Sequence, residues 1–190
     1  MVICKINNMK TTLKSLIITI SIIMLIGACC NELFSDDKLT LERKAYNGTE
    51  LRIDGYYYHI SAIDGRIISI VFFYENGVLF YMNGDGNKIQ DIDYWDSRAH
   101  SNEWIELMKK DKICWGIYLV DNQKIITQSW GGSTMGIHPV ITSYGVIEND
   151  TTYTITKIID SQTNDIWNRE TTYHFRPFSP KPDSTNVFIK

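Results

Sequence analysis

The chain has 190 residues, of which 44% are hydrophobic, 12% aromatic and 22% charged, with a formal net charge of −3. That length suits one domain with a core of its own once a leader is removed. The negative balance and the lack of any long run of like charge argue against a nucleic-acid partner held through its phosphates.

Lys10 and Lys14 precede an apolar stretch from Leu16 to Ala28, interrupted by Thr19 and Ser21, and no acidic residue occurs before Glu32. The stretch falls short of the roughly 20 apolar residues that span a bilayer. It fits the apolar region of a secretory signal, with a basic segment before it and small residues at the cut. Met9 offers an alternative start with a more ordinary signal. The tetrad Ile26-Gly27-Ala28-Cys29 resembles the lipobox of bacterial lipoproteins. The resemblance implies cleavage before Cys29, lipidation of that residue and a place in the cell envelope as an outer-membrane lipoprotein. The acidic run Asn31 to Asp37 resembles, loosely, the surface-export signal of Bacteroidetes lipoproteins, so either face of the membrane is open. The expected organisation is a signal peptide at 1–28, a lipidated tether at 29–45 and a single β domain at 46–190 with an insert at 83–112. The segment removed carries three lysines and no acid, which leaves the remainder at −6. Of the four cysteines, Cys30 and Cys114 stay unassigned: they could pair in an oxidising envelope, or Cys114 could be a buried thiol.

Beyond the tether, strands are expected near 50–60, 67–74, 78–83, 113–120, 124–130, 140–148, 152–160, 167–177 and 187–189. Tyr153, Ile155 and the intervening threonines alternate with period two. Asn76-Gly77 joins Val71–Tyr74 to Val78–Tyr81, the strongest short hairpin signal, and Asp121-Asn122 and Asn149-Asp150 mark two more. One helix is expected, capped by Ser101, with Trp104, Leu107 and Met108 on one face and Lys109 and Lys110 in the last turn. Several strands are apolar on both faces. In the run from Cys114 to Val120, the residues Trp115, Ile117 and Leu119 point one way and Cys114, Tyr118 and Val120 the other. The fold class is therefore all-β: an antiparallel meander of about eight strands closing into a barrel, which removes exposed edges. A two-sheet β-sandwich is the alternative.

The motifs Tyr56-Tyr57-Tyr58, Phe73-Tyr74-Glu75-Asn76-Gly77, Trp115-Gly116-Ile117-Tyr118 and Tyr144-Gly145-Val146-Ile147 resemble the strands of small lipocalin-like lipoproteins of gut Bacteroidetes. The resemblance covers roughly residues 50–176. It implies a lipocalin-like barrel with room for a ligand, and it transfers no functional residue.

Chemistry-bearing motifs are sparse. Asn83-Gly84-Asp85-Gly86-Asn87 spaces oxygen ligands as a calcium loop does, but Lys88 stands where the loop glycine belongs and Tyr94 replaces the closing Glu. Gly131-Gly132-Ser133-Thr134-Met135-Gly136 misses the nucleophile-elbow pattern by one residue. The four histidines, at 59, 100, 138 and 174, lack metal spacing, and His174 is expected to face solvent beside Arg176. No metal, no cofactor and no catalytic activity are expected. Asp91-Ile92-Asp93-Tyr94-Trp95-Asp96 mixes carboxylates with rings, as sugar sites do, or is a loop whose Trp packs onto the barrel. Tyr57, Trp115, Tyr118 and Trp130 are further candidates to line a cavity, set against the commoner role of strand aromatics as core. The expected function is an envelope-anchored binding module for a small apolar or glycan ligand, with Tyr57, Tyr94, Trp95, Trp115, Tyr118 and Trp130 as candidate contacts. The alternative is a structural subunit that docks on an outer-membrane protein complex through a β-edge or the insert.

Overall fold

The computed structural model of the protein describes residues 36–84, 91–133 and 136–190. The leader, Cys29, Cys30, residues 85–90 of the calcium-like loop and residues 134–135 of the Gly-rich loop lie outside the described residues.

Eight strands follow in chain order: β1 Gly55–Ile60, β2 Ile67–Phe73, β3 Val78–Asn83, β4 Trp115–Asp121, β5 Lys124–Trp130, β6 Val140–Asn149, β7 Thr152–Asp160 and β8 Ile166–Pro177. Each pairs antiparallel with the next, and β8 returns to β1 with Tyr57 opposite Phe175, so the meander closes into a barrel. The unbroken ladder excludes the two-sheet alternative. The hairpin residues do what their chemistry allows. Gly77 takes a φ of 78° and Asn122 one of 56°, and the Asn76 side chain accepts from the Val78 amide at 3.2 Å.

Alternation sorts the strands into an inner and an outer face. Tyr57 and His59 point in, while Tyr56 and Tyr58 point out. The outer face of β1 to β4 is as apolar as the inner because two helices cover it. Helix α1 spans Ile92–His100 and α2 spans Asn102–Lys109. Asp91 caps α1 by accepting from the Tyr94 amide at 2.9 Å, and Ser101 caps α2 through the Trp104 amide at 3.3 Å. Trp95 and Ile105 face the barrel and join Tyr56, Phe72, Phe80 and Trp115 in one outer core. The Trp95 indole donates to the Ile67 carbonyl at 3.0 Å.

The expected helix is α2; α1 occupies the stretch read as a carboxylate-and-ring loop. The last turn before β4, Lys112–Cys114, is a 3-10 turn rather than strand. Burial pushes the free Cys114 thiol up to about 12, which suits a packing residue and not a nucleophile. Residues 187–189 form no strand; Phe188 and Ile189 pack against the outer core instead. Lys181 holds the preceding segment down by donating to the carbonyls of Ile53 and Phe73.

From Asp37 onward the segment expected to be a tether lies along the barrel. The Asp37 amide donates to the His138 carbonyl at 3.1 Å. The Trp130 indole donates to the Asp37 carbonyl at 2.8 Å. The amides of Thr40 and Leu41 both donate to Gln128 Oε1, at 2.8 and 2.7 Å. The Tyr46 amide donates to the Glu75 carbonyl at 2.7 Å. The strap passes so close to Gly77 that a Cβ there would stand 2.2 Å from the Lys44 carbonyl oxygen. The first strand, expected near 50–60, begins only at Gly55; ahead of it Tyr46 and Leu51 plug one end of the barrel.

One ion pair ties α1 to the barrel. Asp96 accepts from Arg176 Nε at 3.1 Å and from the Tyr56 hydroxyl at 2.7 Å. Burial alone would raise the Asp96 pKa, but Arg176 and Tyr56 outweigh it and hold the carboxyl below its ordinary value of 3.8. A carboxyl held low in the folded state adds stability that is present above its ordinary pKa and fades as pH falls through it. Asp96→Asn is therefore expected to lose about 1–2 kcal/mol at neutral pH, allowing for partial exposure of both partners. In urea melts the difference from wild type should shrink below about pH 4. A difference that persists unchanged at pH 3 would show that charge is not its cause.

Candidate functional site

The inward residues taper along the strands. On β2 they run Phe73, Val71, Ser69; on β5, Ile125, Thr127, Ser129; on β8, Phe175, Tyr173, Thr171, Arg169. Bulky rings therefore meet at one end and small or polar groups at the other. At the plugged end Tyr57, Phe73 and Tyr118 pack edge-to-face, with Phe73 and Tyr118 centroids 4.7 Å apart. The Tyr57 hydroxyl donates to the Asp150 carbonyl at 2.7 Å and the Tyr118 hydroxyl to the Tyr74 carbonyl at 2.8 Å. This half is packed with side chains.

The other half holds a cavity of about 530 Å³, within the roughly 300–1,000 Å³ range of small-molecule sites. An eight-stranded barrel is just wide enough to be filled by side chains or to hold one small ligand; here it does both, at opposite ends. Val71, Phe73, Leu79 and Ile155 make the apolar floor. Tyr153 and Tyr173 stack at 4.8 Å with 4° between their planes and form part of the wall. The Tyr173 hydroxyl stands 3.5 Å from that of Tyr81. Burial, reinforced by Tyr81, pushes the Tyr173 phenol well above its ordinary pKa, so it is a neutral hydrogen-bonding group at physiological pH. Nearer the mouth come Ser69, Ser143, His59 and Arg169.

Of the six residues expected to contact a ligand, Trp130 alone borders this cavity. Its indole is engaged with Asp37, and Lys112 Nζ sits 4.3 Å from the ring centroid. Tyr57 and Tyr118 point into the barrel but belong to the filled end. Trp115 points outward and donates to the Lys109 carbonyl at 2.9 Å. Trp95 is fully buried on the outside, where no sugar can stack on it. Tyr94 lies on α1, against Trp95 and under Arg98. The Asp91 and Asp96 carboxylates are committed to a helix cap and an ion pair, so this stretch is a packing element and not a sugar site. His174 is exposed, and Arg176 is half-buried in its ion pair. Among the described residues no three of His, Cys, Asp and Glu cluster as a metal site would require.

Fold and cavity together define a hollow up-and-down barrel, plugged at one end and open at the other. No protein-family model, curated protein or solved structure matches this chain.

Proposed function

We propose that the protein is an envelope lipoprotein, anchored through lipid on Cys29, whose barrel holds one small, mainly apolar molecule with a polar end. The observation that carries this reading is the cavity of about 530 Å³ with an apolar floor and a polar mouth. A barrel serving only as a scaffold gains from filling its interior, because every void forfeits packing contacts. Barrel closure counts against the strand-edge form of the docking alternative, since every strand pairs on both sides over part of its length; it does not bear on docking through the 83–112 insert. The reading is of a binding role: among the described residues the mouth offers hydroxyls, an imidazole and a guanidinium.

The reading is tested by native mass spectrometry of the processed protein, purified from its host membrane in a non-ionic detergent. A bound mass is expected, either carried through purification or supplied as N-phenyl-1-naphthylamine, a neutral apolar dye. A bare mass under both conditions would overturn the reading.

A further inference from the structure

The charge of the cavity narrows the ligand class, on the reading that the cavity is a ligand site. Among the described residues that line it, His59 and Arg169 carry basic nitrogen and none carries a carboxylate. In a chain with 22 acidic against 19 basic residues, that is a local reversal of sign. The Arg169 Nε donates to Thr171 Oγ1 at 3.1 Å, and the rest of its guanidinium has no hydrogen bond or ion pair among the described residues. The Thr172 carbonyl fixes His59, 2.9 Å from its Nδ1. A carbonyl only accepts, so Nδ1 carries the proton, and Nε2 is left without a partner among the described residues. The Tyr81 and Tyr173 hydroxyls line the same cavity. Below them the floor is hydrocarbon and ring.

Arg169 is exposed, so its guanidinium stands at the solvent-facing rim of the cavity, where it favours an anion that it can grip in a two-pronged fashion. We infer that the cavity binds a single-chain amphiphile with an anionic head, carboxylate or phosphate. The head sits at Arg169 and His59, and the chain runs down onto Val71, Phe73, Leu79 and Ile155.

The test titrates the processed full protein with dodecanoate, dodecyl phosphate and dodecanol, reading occupancy by native mass spectrometry. At least one anionic probe is expected to bind about tenfold or more tighter than dodecanol, and the tighter one names the head. Arg169→Gln should weaken that anion about ten- to a hundredfold and leave dodecanol unchanged. Arg169→Lys, which keeps the charge, should retain the preference for the anion. Removing one methylene from the chain should weaken binding about fourfold. Equal binding of anion and alcohol, or an anion indifferent to Arg169→Gln, would overturn the anionic assignment and leave the cavity reading standing. Failure of all three probes to bind would overturn both.

Discussion

Trp95→Ala is expected to cost about 3–5 kcal/mol of folding stability, the usual range for emptying a buried tryptophan site. Trp95 is fully buried between α1 and the outer wall of the barrel. It also packs edge-on against Tyr94 and Trp104, so two further aromatic side chains lose a common partner together. Its loss leaves a void and strands the Ile67 carbonyl, which now accepts from the indole at 3.0 Å. Set against a typical total of about 5–15 kcal/mol, such a loss puts folding itself at risk. Trp95→Phe should recover most of the packing and retain a deficit of about 1–2 kcal/mol for the missing donor. Urea unfolding followed by circular dichroism measures both. A loss below 1 kcal/mol for the alanine variant would mean that the helices contribute little to holding the barrel.

Ser143→Trp is expected to abolish ligand binding, by a hundredfold or more, with little loss of stability. Ser143 faces inward opposite Thr127 and lines the cavity. The indole would enter space that is already empty, so the strain of overpacking, typically about 1–3 kcal/mol, is largely avoided. Native mass spectrometry with the apolar dye reads the loss, and a thermal melt reads the stability. A variant that folds and still binds at wild-type strength would place the ligand elsewhere. Trp115→Ala is no substitute for this experiment, because that ring faces the helices.

Much of the strand order was legible because three hairpins carry their own turn chemistry: Asn76-Gly77, Asp121-Asn122 and Asn149-Asp150 all fall where one strand turns into its partner. The position of the cavity was not. Finding it requires knowing which alternate set of residues points inward, and β1 to β4 are apolar on both faces. The residue that explains this is Trp95, on a helix that reads locally as a loop of carboxylates and rings. With α1 hidden, Trp115 and Tyr118 are equal candidates for the interior. With α1 in place, Trp115 goes to its underside. The taper Phe73-Val71-Ser69 on β2 and Ile125-Thr127-Ser129 on β5 then marks the hollow end. That taper was the readable signal. It lies in small hydroxyl residues and not in the large aromatic ones. The histidine that lines the mouth, His59, carried no spacing to single it out.

The strap over residues 37–45 has a mechanical consequence. Its attachments are strung in series along the outside of the barrel: Asp37 at the open end, then Gln128 beneath Thr40 and Leu41, then Glu75 beneath Tyr46 at the plugged end. Tension applied from the N-terminal side reaches them one at a time, so they peel in sequence and never share the force. None of the strap residues 37–45 belongs to a barrel strand, so the ladder of β1 to β8 stays closed while they let go. Nine residues pulled straight have a contour length of roughly 30 Å. On the proposed anchorage through Cys29, the strap is therefore the part that yields under load while the barrel keeps its ladder.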